Sequence, residues 1–599
     1  MKRQRSSPSL WRVAALVACA ALVTGLLIAS GQAGAANPVR SPLASSHITF
    51  VVNSATGLEP ISPLIYGINL DKAVDPTGFA AVMSEARPSL IRMGGNRWTA
   101  YNWENNDSNA GSDYEYENDD YLSSSLVPGA AVLSTVKAAA AAHIPIILTI
   151  PIAGYVSADR TPPGPVQNSG PNYLETRFKV DEPTDPDPLT IKPNLKDDYV
   201  YQDQFVYWLE HAVPTATVLF SLDNEPDLWD STHSEIHPAT TTYSELLSKS
   251  LVYAAAVRKV DPSALITGPV SYGWEGYETL QNAPDSAKHG NFLDWYMRGV
   301  RTANAAAGTT LINDLDLHWY PEATGNGIRI TGTDTTPAVV AAREQAPRSL
   351  WDRSYVETSW ITQDSLDGKG IDLIPRLDSQ IAHNNPGMNL DFTEWNYGAG
   401  QDISGGIATA DVLGIFGRYG VHAAALWPLN ANESYNYGAF AMYRNYNGHG
   451  AAFGDTEVSA TTTSKVNSSV YASIESANPN HVVIMAINKS LSPTTTTIDL
   501  SGVSSKSASV YTLTSATATP TPAAGLVATG TNTFTYVMPA QSVSVIVPAT
   551  SAPAATAEQP LRTDGAHTIG GSVVRAPVSW LATPLDWNAT RREANPHIA

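Results

Sequence analysis

The sequence predicts an α/β fold, a (β/α)8 barrel of the TIM type, carrying an additional all-β sandwich domain. Three observations predict it. Eight short apolar or β-branched runs, at 64–70, 90–95, 144–150, 217–224, 265–271, 314–320, 390–395 and 423–429, alternate with helix-like stretches; such alternation calls for parallel strands joined by helical crossovers. No Gly-rich phosphate loop opens any of those helices, which sets aside a doubly wound open sheet. Past Tyr435 the texture changes to short alternating runs separated by Ser, Thr, Asn, Pro and Gly, the pattern of a β-sandwich.

Taken in order, residues 1–36 read as a signal peptide. Lys2, Arg3 and Arg5 give a basic start, residues 13–28 are almost wholly apolar, and cleavage is expected near Ala35 or Ala36. The only cysteine, Cys19, lies inside this segment, so the mature chain would have no disulfide, thiol nucleophile or cysteine metal site. The barrel is assigned to 60–435, with helices expected around 78–86, 130–143, 201–211, 243–260, 291–307, 338–344 and 405–419. Runs at 481–488, 494–500, 509–513, 533–538 and 542–547 make the sandwich, assigned to 38–58 plus 436–548. The early strand at 47–52 has no place in the barrel count and joins it. Residues 549–599 read as an irregular tail.

Composition narrows the partners. A formal charge of −20 argues against nucleic acid or an anionic membrane, and a neutral ligand suits it better. The 14 Trp and 26 Tyr are mostly core material, but those in strand-end loops offer flat rings to sugar faces. The expected chain is a secreted monomer, free of the membrane once its signal is removed.

The chemistry is carried by two strand ends. Ser221-Leu-Asp-Asn-Glu-Pro226 delivers Asn224 and Glu225 at the end of the fourth run, and Asp391-Phe-Thr-Glu-Trp-Asn396 delivers Glu394 at the end of the seventh. The active site of a parallel barrel lies at the carboxyl ends of its strands, so both glutamates would face one cleft. Two carboxyls across a cleft are the requirement for breaking a glycosidic bond: one protonates the leaving oxygen, while the other attacks the anomeric carbon or activates water. Arg92 is expected to pair with or orient a cleft group and is counted with the substrate-binding set.

Three segments resemble glycoside hydrolase family 44, a family of endo-β-1,4-glucanases and xyloglucanases. They are Arg92-Met-Gly-Gly-Asn-Arg97 running through Tyr101-Asn-Trp-Glu104 to Ser108-Asn-Ala-Gly-Ser-Asp113, then Asp223-Asn-Glu-Pro226 with Leu228-Trp229, and Thr393-Glu-Trp-Asn-Tyr-Gly398. The resemblance spans the barrel, and a trailing sandwich fits that family's architecture. It implies a retaining double displacement with Glu225 as acid/base and Glu394 as nucleophile, and Asn224 holding a sugar hydroxyl. His318 and Tyr320, at the sixth strand end, are expected to flank the nucleophile. Trp427 is expected to serve as a sugar platform and Trp395 to contribute ring stacking, although Trp395 stands where some relatives have Tyr.

The remaining constellations weigh less. His233 and His237 have the i, i+4 spacing of a helical zinc pair, but the glutamate is displaced from the protease motif and Pro238 follows, so a solvated loop is the better reading. The acidic stretches 104–120 and 181–187 are candidates for a structural calcium, without the spacing that would name its ligands. No organic cofactor is implied. The alternatives are another barrel glycosidase (a xylanase, mannanase or arabinofuranosidase) and a carbohydrate-binding protein that kept the scaffold without the chemistry.

Overall fold

The computed structural model describes residues 47–551; the segment read as a signal peptide, Cys19 and the tail past Ser551 lie outside the described residues. Eight strands, β1 (Gly67–Leu70), β2 (Leu90–Met93), β3 (Ile146–Ile150), β4 (Val218–Leu222), β5 (Leu265–Ser271), β6 (Asp314–Trp319), β7 (Asn389–Trp395) and β8 (Ala423–Leu426), close into a barrel. All neighbours are parallel, and β8 returns to pair with β1. The sequence β3 adopts, Ile-Ile-Leu-Thr-Ile, is buried at every position, as a parallel strand covered on both faces must be.

All seven expected helices are present; besides several helices of four to six residues, two long ones were not read from the sequence. Leu373–Asn384 precedes β7; Pro375 hides it as an apparent break, yet proline is tolerated in a first turn, where the backbone N–H has no intrahelical partner. Ser434–Arg444 follows β8, so the boundary placed at 435/436 falls inside a helix. Among the described residues no helix is long and apolar enough to cross a membrane.

The β domain departs from two separate sheets. Its strands join one ten-stranded sheet that folds over on itself. Ile48–Asn53 pairs parallel with Thr494–Ser501 and antiparallel with Thr456–Thr462, and Ile48, Phe50, Ile484, Ile498 and Phe534 fill the space enclosed. Strands Thr456–Thr462, Ser468–Glu475 and Thr517–Gly530 were not expected, and the strand Ser542–Ser551 runs past the start of the predicted tail.

Several β-domain strands contribute to both halves, one of them most fully. In Asn478–Asn488, Val482, Ile484 and Ala486 face the β-domain core, while Val483, Met485 and Ile487 join the barrel core. Side chains alternate across a strand, so this apolar run serves two cores at once. The seam is reinforced by buried charge: Lys489 Nζ lies 2.6 Å from Asp411 of the helix Ile403–Arg418, Tyr471 donates to the same carboxylate at 2.6 Å, and Arg418 meets Glu457 at 2.9 Å.

Candidate active site

Backbone irregularity aims the glutamates. Strict alternation along β7 would put Glu394 on the same side as Phe392, whose ring stacks on Phe416 outside the barrel. Instead β7 carries an extra residue relative to both neighbours: Phe392 pairs with Leu317 and Ala424, but Glu394 pairs with His318 and Trp395 with Leu426. A bulge of this kind re-aims a side chain, and here it turns Glu394 toward the cleft. Next to β4, the strand β5 bulges at Val270, a β-branched residue held at φ +63°, where such residues are rare outliers. The Val270 carbonyl thereby accepts the Glu225 N–H at 3.0 Å. Asp223 and Glu225 also have positive φ. The buried Asp223 carboxylate fixes that turn by accepting from Thr99 Oγ1 and from the Ile152, Ala153 and Asn224 N–H groups at 2.6–3.0 Å.

A buried cluster results. One Arg92 terminal nitrogen donates to Glu394 Oε1 at 2.7 Å and to Asn69 Oδ1 at 2.9 Å; the other donates to Asn224 Oδ1 at 3.0 Å. Tyr320 donates its phenol O–H to Glu394 Oε2 at 2.8 Å. Glu394 therefore has a cation on one oxygen and a hydroxyl on the other. Glu225 has no cation in hydrogen-bond reach among the described residues; its partner is His318 Nδ1 at 2.9 Å, which lies 3.5 Å from Glu394 Oε2. One oxygen of each glutamate and a His318 ring nitrogen all fall within 4.8 Å of one another.

Burial pushes the Glu225 carboxyl up to about 7 against the pull of Arg92, with Asp113 adding to the rise. Burial also lowers His318 to about 3, so its imidazole is neutral. A neutral ring nitrogen can donate to a carboxylate or, in the other tautomer, accept from a carboxylic acid, so His318 suits Glu225 in either protonation state. Beside Glu225 opens a pocket of about 230 Å³, lined by Tyr272, Trp274, Tyr320, Arg329 and Trp360 among others.

The comparisons with known proteins point to one family. Residues 107–323 match the profile of glycoside hydrolase family 44. Endoglucanase A of Paenibacillus lautus is 39% identical over 488 residues, covering 78% of this chain and 67% of that protein. The chain belongs to glycoside hydrolase family 44. A family 44 xyloglucanase of Paenibacillus polymyxa, solved with xyloglucan, is 37% identical with a TM-score of 0.78, covering 84% of this chain and 99% of that one. The β-mannanase/endoglucanase A of Caldicellulosiruptor saccharolyticus is 40% identical over 476 residues, and this chain spans 34% of its length.

In this family 44 chain the predicted residues take different places. Glu225, Glu394, Asn224, His318, Tyr320 and Arg92 come together in the cluster. Arg92 is found ion-paired to Glu394 and orienting Asn224, as read for it; being fully buried, it leaves the substrate-binding set with which it was counted. Trp395 is corrected outright: its ring is buried against Phe416 and Phe440, because the bulge that turns Glu394 inward turns its neighbour outward. Trp427 is partly exposed with its ring over Gly95, where a Cβ would come within 2.6 Å of it.

His233 and His237 are not in a solvated loop. His233, fully buried, bridges Glu235 at 2.9 Å and the Asn96 carbonyl at 2.8 Å; His237 pairs with Glu245 at 2.8 Å. Asn96 in turn accepts from Asn224 at 2.9 Å, so this histidine supports the cleft from behind. The acidic stretches are largely taken up by protein donors: Glu104 by Lys179, Asp107 and Asp120 by Arg160, Asp119 by Arg97, and Asp181 by Gln202 and Tyr253. Asn69, Asn96 and Asp223 went unremarked as site residues. The one signal for Asn69 was a lone amide in the apolar run Gly67-Ile-Asn-Leu70.

Proposed function

We propose that this chain is a secreted, retaining endo-β-1,4-glucanase acting on soluble β-1,4-glucans, xyloglucan included. The observation that carries the reading is the carboxyl pair, with one oxygen of Glu225 and one of Glu394 no more than 4.8 Å apart. Retaining enzymes hold their carboxyls about 5–5.5 Å apart, whereas inverting enzymes need about 6.5–9.5 Å to admit a water. The asymmetry of the pair supports the roles. Glu394, held by Arg92 and Tyr320, is the nucleophile; Glu225, uncompensated and protonated near neutrality, is the acid.

In the first step a Glu394 oxygen bonds to the anomeric carbon, the glycosidic C–O bond breaks, and the Glu225 proton passes to the leaving oxygen. In the second, water attacks the same carbon, ionised Glu225 takes its proton, and Glu394 leaves as a carboxylate. Two carboxyls and water complete this cycle, so no organic cofactor enters it. The aromatic pocket beside Glu225 lies on the acid's side of the bond and suits the leaving-group end of the polymer. Secretion rests on the basic and apolar start of the sequence, and we take the monomer as the working state.

Reducing-sugar release from carboxymethylcellulose, xyloglucan, xylan and mannan tests the reading, with NMR of the first anomer formed. Glucan or xyloglucan cleavage yielding the β-anomer supports it. A preference for mannan, consistent with the name of the Caldicellulosiruptor relative, would keep the mechanism and change the substrate. An α-anomer as first product would overturn the retaining assignment.

A further inference from the structure

The floor of the barrel, at the amino-terminal ends of the strands and opposite the cleft, is chemically divided. Leu90, Ile147, Leu219 and Ala423 form a small apolar cluster there, with Leu64 and Leu265 packed against it. The amino-terminal portions of β6, β7 and β8 instead contribute three ionisable groups: Asp314, the first residue of β6; Asp391, the third of β7; and His422, which immediately precedes β8. Both aspartates are fully buried. His422 Nδ1 lies 3.1 Å from Asp391 Oδ1 and 3.4 Å from Asp314 Oδ2, and the three donor atoms all fall within 4.8 Å of one another.

An ion pair alone explains this arrangement poorly. A single Nδ1–H would have to serve two carboxylates at distances longer than the roughly 2.7–2.9 Å of a charge-assisted hydrogen bond. Asp314 Oδ2, fully buried, has no well-formed hydrogen bond; its nearest donor is the His422 Nδ1 at 3.4 Å, an arrangement that costs free energy unless something else compensates it. The two separations from His422 come close to a different geometry. In a tetrahedral site with bonds of about 2.0–2.1 Å, neighbouring ligand atoms stand about 3.3–3.4 Å apart. The outer groups are also in place: Asn389 Nδ2 donates to Asp314 Oδ1 at 2.6 Å, the Ala423 N–H to Asp391 Oδ1 at 2.9 Å and Thr267 Oγ1 to Asp391 Oδ2 at 3.3 Å. Such contacts orient metal ligands. His422 keeps 13% of its side chain exposed, which leaves a way in and a side open to water.

We infer that Asp314, Asp391 and His422 form a binding site for a divalent cation of the zinc class, at the end of the barrel away from the chemistry. Two oxygens and one imidazole nitrogen suit zinc, or cobalt in its place, better than calcium, which takes six to eight oxygens.

The test uses the full chain, stripped with a chelator and titrated with Zn2+ alone. Calorimetry should find one equivalent bound, lost in Asp314→Asn and in His422→Gln and kept in Glu225→Gln. The last variant separates this site from the Glu225, His318 and Glu394 group, whose donor atoms are similarly close. The thermal midpoint of wild type should rise with Zn2+ and that of Asp314→Asn should not. Should His422→Gln fail to fold, Co2+ added to wild type still decides, because tetrahedral coordination gives intense visible absorption. No binding by wild type, an octahedral cobalt spectrum, or binding that survives Asp314→Asn would each overturn the site.

Discussion

The cleft and the seam between barrel and β domain both bury charge, and they differ in how it is balanced. At the seam Asp411 has Lys489 and Glu457 has Arg418, one cation for each carboxylate. In the cleft one guanidinium is committed to Glu394 and Asn224, and Glu225 is left with a neutral histidine. Burial pushes Glu457 up to about 7, just as it does Glu225. A raised carboxyl is therefore not by itself a mark of catalysis. The difference lies in what surrounds it: Glu457 is locked to a cation in a closed seam, whereas Glu225 borders an open aromatic pocket and has a proton to give.

The largest effects should come from the cleft. Glu394→Gln is expected to abolish turnover while the protein stays folded, and Glu225→Gln to lower kcat by about 10²–10⁴ on polymer, the usual contribution of a general acid–base group. Added azide should restore turnover of an activated aryl glycoside in Glu225→Gln only. Equal azide rescue of both variants would erase the proposed asymmetry.

The pH dependence sharpens the contrast. The proposed mechanism requires protonated Glu225, so kcat should fall as pH rises through about 7, and a pH–rate profile with no alkaline limb near there would contradict the assignment. The same shift has a stability consequence. The folded-state value lies above the ordinary one of 4.5, so the folded state holds this proton more tightly and stability declines between about 4.5 and 7 as the unfolded chain releases it first. Glu225→Gln should therefore melt higher than wild type at pH 8, as expected where a site is held at a cost to stability.

At the seam the order reverses. Lys489→Met leaves Asp411 buried without its cation and should cost about 3–5 kcal/mol of stability, read by denaturant unfolding, with kcat of the folded enzyme unchanged. The smallest effects belong to the rings. Trp427→Ala should raise KM for polymer with little change in kcat, whereas Trp395→Phe, a change in the outer packing layer, should leave KM alone. A KM effect at 395 larger than at 427 would place the Trp395 ring, not the Trp427 ring, against substrate.

Much of the barrel was legible because each strand is a compact apolar run, and the two glutamates stood out because strand ends are where a barrel does chemistry. What escaped was local. Nothing in Asp391-Phe-Thr-Glu-Trp395 announces a bulge, and alternation alone would have placed Glu394 outside and Trp395 on the opposite face. Arg92 is legible as a group that pairs or orients beside the cleft, but its complete burial depends on Asn69, Asn224 and Glu394 converging from three other strands. The strand Thr517–Gly530 hid behind Pro520 and Pro522, residues that cannot donate to a ladder and usually argue against a strand interior; its largely exposed face supplied no apolar alternation.

The strand that serves two cores has a consequence for anyone who would re-engineer this chain. Modular polysaccharide-degrading proteins invite recombination at domain borders, where a catalytic unit is expected to detach cleanly. Here a cut between Arg444 and Thr456 would strip Val483, Met485 and Ile487 from the barrel core, together with the lysine opposite Asp411. The smallest transferable cassette is the barrel with its β domain, and fusion partners belong outside Ile48 and Ser551 rather than between the two halves.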